Sequence, residues 1–118
     1  MVLSGELGAG KTTFVQGFLR GLGVRRRAPS PTFVIMRRYA ARAARKSVFH
    51  MDAYRLKDAS HLPVLGFEAL LGDPKNIVLV EWGERIKEAI PRRAAWIKFG
   101  YGKEEGSRTI AIREGRRT

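Results

Sequence analysis

The chain has 118 residues, with 23 Lys and Arg against 11 Asp and Glu, a formal net charge of +12 and no cysteine. That length suits one domain with a modest core, and the missing cysteines exclude disulfides and thiolate chemistry. No apolar run reaches the roughly 20 residues of a membrane span, and the start lacks the order of a signal peptide, so a cytoplasmic setting without membrane contact is expected.

A short strand over residues 1–4 leads into Gly5-Glu6-Leu7-Gly8-Ala9-Gly10-Lys11-Thr12, followed by Thr13, a complete Walker A phosphate-binding loop. Glycines let the backbone turn so that successive N–H groups face phosphate oxygens. Lys11 supplies an ammonium for the β- and γ-phosphates, and the Thr12 hydroxyl suits Mg²⁺. The pattern predicts a helix from Lys11 to Leu22, with Phe14, Val15, Phe18, Leu19 and Leu22 as its apolar stripe and Gly21 and Gly23 at its end.

Prolines 29 and 31 make Arg25 to Thr32 an exposed loop, and a strand is expected from Phe33 to Tyr39. A second strand over Ser47 to Met51 would close an antiparallel hairpin with it. Period-two alternation puts His50 and Asp52 on one face, which offers a strand-end carboxylate. A lone His beside one Asp does not make a zinc site, and His50 is read either as a structural residue or as part of the site. His61 is ordinary surface. A helix over Leu62 to Leu71 is expected despite Pro63 and Gly66.

Ile77-Val78-Leu79-Val80 is the continuous apolar run of a parallel strand buried on both faces, and it ends in Glu81-Trp82-Gly83-Glu84. Glu81 is thereby delivered to the carboxyl edge of the sheet, the edge that binds ligands in open α/β folds. Glu84 reads as a solvated helix-start acid. A brief helix from Arg85 to Ile90 stops at Pro91, and strands over Ala95 to Tyr101 and Arg108 to Arg113 flank a turn at Gly102 to Ser107. Three helices and five or six strands describe one compact α/β sandwich. Arginine clusters such as Arg25-Arg26-Arg27 and Arg37-Arg38 attract polyanions, but no helix-turn-helix, zinc finger or aromatic ribonucleoprotein strand accompanies them, so RNA contact within a complex and simple solubility both stay open.

In this order, the P-loop, Ser30-Pro31-Thr32-Phe33, His50 and Asp52 with Tyr54-Arg55-Leu56, Gly66-Phe67-Glu68 and Glu81-Trp82-Gly83-Glu84-Arg85 resemble the TsaE (YjeE) family. These are small P-loop ATPases needed for N6-threonylcarbamoyladenosine at position 37 of transfer RNA. The resemblance covers almost the whole chain. It implies a single P-loop ATPase domain over residues 1–118, of the P-loop NTPase-like three-layer sandwich type with a mostly parallel central sheet and antiparallel additions. ATP and Mg²⁺ would bind at residues 5–13, named above, with Trp82 beside the nucleotide.

Thr12, Asp52 and Glu81 would serve the metal, Thr32 would sense the γ-phosphate, and Lys11, Thr32, Asp52 and Glu81 would carry catalysis, with Asp52 or Glu81 orienting the water. The implied partners are the TsaB and TsaD proteins, with tRNA in the complex; no DNA is expected. Family members usually carry a further strand and helix before the P-loop strand, so an N-terminally shortened core is expected here. A nucleotide-binding scaffold without turnover and a small P-loop kinase are the alternative readings.

Overall fold

The computed structural model describes residues 1–6, 8–25, 35–56 and 59–115. Its centre is β1 (Val2–Gly5), an interior strand in which Val2 and Leu3 are buried. It lies parallel to β4 (Asn76–Glu81) on one side and to β5 (Trp96–Tyr101) on the other. β3 (Lys46–Asp52) adds in parallel beyond β4. Each edge is then finished by an antiparallel hairpin partner, β2 (Met36–Ala41) against β3 and β6 (Arg108–Arg113) against β5, for the order β2-β3-β4-β1-β5-β6. Mostly parallel with antiparallel additions, the sheet matches the expectation.

Alternation within the strands divides the core into two layers. Leu3, Val48, Leu79, Ile97 and Phe99 pack on one side with Val15 and Leu19 of α1 (Lys11–Gly21). Met51, Val78 and Val80 pack on the other with Phe67 of α2 (Phe67–Gly72) and with Ile86. β4 contributes to both faces, as its unbroken apolar run predicts. The result is helix, sheet and helix in three layers.

Three expectations need correction. The helix over Leu62 to Leu71 is two pieces, a 3₁₀ turn at Pro63–Leu65 and α2, because Gly66 between them sits in the left-handed region at φ 67°. The segment after β4 is a 3₁₀ stretch, Gly83–Ala89, broken at Ile86 (φ −128°), whose side chain turns fully into the core. β2 begins at Met36 and runs on to Ala41, because its hairpin register with β3 extends to Ala41 opposite Lys46. Phe33 and the proline-bounded loop from residue 26 to 32 lie outside the described residues.

Two glycines separate backbone cost from packing. Gly17 is exposed within α1 with nothing near the position of an added β-carbon, whereas at Gly83 that carbon would meet Val2 Cγ1 at 2.2 Å. Gly17→Ala should therefore raise stability by about 0.5–1 kcal/mol, through helix propensity and a less free unfolded chain. Gly83→Ala should lower it by about 1–3 kcal/mol, through overpacking of β1. Urea unfolding of both variants checks the opposite signs.

Candidate nucleotide site

The loop begins where β1 ends. Gly5 adopts φ 125°, and an added β-carbon there would lie 2.0 Å from the Phe99 carbonyl oxygen of β5, so glycine alone fits. Gly8 (φ 74°) and Gly10 (φ 113°) supply the remaining turns, and Ala9 is buried beneath them. Gly10 precedes α1 without a side-chain cap, and no acid stands in the helix's first turn, so the amino end is electrostatically suited to an anion. Glu6, Thr12 and Thr13 are exposed, while Leu7 lies outside the described residues.

Lys11, the first residue of α1, is the buried charged group of the core, 6% exposed. Its Nζ donates to the Gly5 carbonyl at 2.8 Å and stands 3.7 Å from the centre of the Trp82 ring. Burial lowers its pKa below the ordinary 10.5; Glu81, Glu84 and Asp52 oppose that shift, in this order, without overcoming it. Trp82 reaches the ammonium because its backbone takes the left-handed conformation at φ 60°, a strained state for a bulky residue. Its N–H donates to the Leu3 carbonyl at 3.1 Å, which ties the turn after β4 to the P-loop strand. Tyr54 leans on Trp82 with ring centres 5.2 Å apart, and Arg85 covers Tyr54 while donating to its carbonyl at 3.0 Å.

The two candidate carboxylates end neighbouring strands, and Asp52 and Glu81 are partners in the β3–β4 register. Their side chains are engaged differently. Asp52 Oδ1 accepts from the Tyr54 N–H at 3.0 Å, capping the 3₁₀ turn Ala53–Arg55, and Oδ2 lies 3.5 Å from Arg55 Nε. Glu81 Oε2 lies 2.5 Å from His50 Nε2, both side chains being mostly buried. The structure thus joins His50 to Glu81, a pairing that sequence left open because it links residues 31 apart.

Thr12, Asp52 and Glu81 are all hard oxygen donors, the chemistry Mg²⁺ selects. Among the described residues no three His, Cys, Asp or Glu side chains form a metal cage. That is compatible with a Mg²⁺ held largely by phosphates and waters, so the residues present fit the ion. Thr32 lies outside the described residues. In the sequence Tyr54 and Arg85 stand out only as members of motifs; nothing in one chain signals that Tyr54 packs against Trp82 with Arg85 over the Tyr54 ring.

A family model described as "Threonylcarbamoyl adenosine biosynthesis protein TsaE" matches residues 1–110. The chain belongs to the TsaE family. The "tRNA threonylcarbamoyladenosine biosynthesis protein TsaE" of Bacillus subtilis is 41% identical over 92 residues, covering 78% of this chain and 55% of that protein. The protein of the same name from Haemophilus influenzae is 34% identical over 99 residues, 84% of this chain and 61% of that one. That from Treponema pallidum is 34% identical over 113 residues, 95% and 79%. The crystal structure of Bacillus subtilis YdiB superposes with a TM-score of 0.71 at 30% identity, over 98% of this chain and 67% of that one.

The chain therefore spans between about half and four fifths of the length of these curated TsaE proteins. Membership makes this a P-loop nucleotide-binding fold, and the matched relatives are named for tRNA threonylcarbamoyladenosine biosynthesis. Among the described residues no helix is long and apolar enough to cross a membrane.

The lowered Lys11 pKa has a definite sign. Between its folded value and 10.5 the unfolded chain binds more protons, so this group makes stability rise with pH across that window. The ammonium is lost over the same window. In ¹³Cε-lysine NMR, the resonance removed by Lys11→Arg should titrate below 10.5, and nucleotide affinity should weaken as pH rises through that midpoint; titration at or above 10.5 would contradict the burial argument.

Proposed function

We propose that this TsaE-family chain binds ATP with Mg²⁺ in the loop of residues 5–13 and hydrolyses it, in the service of N6-threonylcarbamoyladenosine formation on tRNA. TsaB and TsaD are the proposed partners, with TsaD as the transferase. The observation that carries the reading is Lys11, a desolvated ammonium at the junction of loop and helix, in the electrostatic field of Glu81 and Asp52. With one carbonyl, one ring face and no carboxylate in direct contact among its described partners, this ammonium is incompletely compensated for its burial.

In the proposed reaction, a water oxygen attacks the γ-phosphorus, the bond to the β–γ bridging oxygen breaks, and ADP and phosphate leave. Lys11 and the N–H groups of Gly8 and of Gly10 to Thr13 hold the phosphates and their developing charge, while the Ala9 N–H closes the loop on the Glu6 carbonyl at 3.2 Å. When bound, Mg²⁺ would neutralise phosphate charge, held through Thr12 and through Glu81 or Asp52. Of the two carboxylates, Glu81 is the better placed to orient water, because His50 holds it in position while Asp52 is committed to capping its own turn. Trp82 walls the loop beside Lys11 and limits water there.

Lys11→Ala should weaken ATP binding about tenfold to a hundredfold, the value of a lost charged hydrogen-bond donor. Glu81→Gln should keep binding but lower turnover by about 10² or more, and His50→Ala should lower it by a smaller factor of about 10. ATP titration, together with Mg²⁺-dependent ADP release measured with and without TsaB and TsaD, checks all three. Tight ATP binding with no turnover in either setting would instead make the chain a nucleotide-binding scaffold. A phosphorylated small acceptor would make it a kinase.

A further inference from the structure

From residue 7 to residue 51 the chain has ten Lys and Arg and not one acidic residue. The fold gathers much of this charge at one pole. The β2–β3 turn carries Arg42 and Arg45 at the amino end of β3, whereas Asp52 and the nucleotide loop lie at the other end, about 20 Å away along a seven-residue strand. A β-carbon placed on Gly23 would lie 3.9 Å from that of Ala43, so the end of α1 abuts this turn and brings Arg20 and Arg25 with it. The Ser47 N–H donates to the Lys75 carbonyl at 3.0 Å, which adds Lys75. All five of these side chains are exposed, and Asp73 nearby is engaged with the Lys75 backbone N–H at 2.9 Å.

We propose that this pole docks the phosphate backbone of an RNA stem, and that it does so independently of the nucleotide loop. Charge alone suits any polyanion. Two further observations select RNA stems. The turn offers only Ala43 and Ala44 between its arginines, so it lacks the large apolar anchors that a protein partner would need. The exposed aromatic side chains, Tyr54 and Tyr101, end up at the carboxyl edge with the nucleotide loop, so no stacking platform for single-stranded bases stands at the basic pole among the described residues. Double-stranded RNA, recognised by shape and phosphates, needs neither. The choice of a tRNA as probe rests on the proposed function; the surface itself does not.

The test is filter binding of an unmodified tRNA transcript across a KCl series. The protein forms are the full chain, the triple variant Arg42→Gln/Arg45→Gln/Lys75→Gln and, for equal charge loss, Lys98→Gln/Arg108→Gln/Arg113→Gln on β5 and β6. The pole variant should bind about tenfold or more weakly at low salt, with a log–log salt slope shallower by about 2–3. The β5–β6 variant should stay within about twofold of the parent. A duplex stem should compete with tRNA, while poly(U) and polyglutamate of equal charge should not. Equal losses in both variants, no loss in either, or displacement by poly(U) or polyglutamate would overturn the proposal. Thermal melts confirm that both variants fold. ATP binding measured on the same samples should be unchanged by the pole substitutions; its absence in every form would fail the ATPase reading while leaving the RNA result readable.

Discussion

Everything at the nucleotide end of this molecule depends on how closely β1 can pass β5. At Gly5 the chain leaves the sheet so near the Phe99 carbonyl that a hydrogen fits where a methyl does not. Because β1 lies between β4 and β5, the loop emerges at the middle of the sheet's carboxyl edge. The same geometry that crowds Gly5 sends its carbonyl toward Lys11 Nζ. A sheet with β1 displaced would lose both the turn and the lysine's anchor.

Around that point the electrostatics are layered. The ammonium gains from the Gly5 carbonyl and the Trp82 ring, gains again from Glu81, Glu84 and Asp52, and still titrates low because water is kept away. The carboxylates are themselves restrained by His50, by the Tyr54 N–H and by Arg55. Such restraint is what preorganisation means: the groups are ordered by the fold before a phosphate meets them. At the opposite end of β3 the charges are mostly positive and exposed, so they act at a distance and in salt-dependent fashion.

Local chemistry made the central features readable. Gly5 to Thr12 announce their backbone needs, and Ile77 to Val80 could only be an interior parallel strand. The β5–β6 hairpin follows from alternation, and the β2–β3 hairpin from a polar turn between two strands. What sequence did not reveal has a common cause in tertiary contact. Pro63 and Gly66 read in sequence as tolerable within one helix, yet Gly66 at φ 67° divides it. Ile86 breaks its 3₁₀ stretch to fill a place in the core. The His50–Glu81 pair and the tilted packing of Tyr54 against Trp82 join strand ends and turns remote in the chain, and no period or motif encodes such distances.

Trp82 carries two duties on one strained residue. Its ring meets the Lys11 ammonium, while the next residue, Gly83, lies against Val2 in the floor of the sheet. Rotation of Trp82 out of its left-handed conformation would release strain of about 1–3 kcal/mol and at the same moment move both contacts. One backbone turn, Trp82–Gly83, thus serves both the lysine's surroundings and the packing under β1, so neither contact can be altered there without constraint from the other.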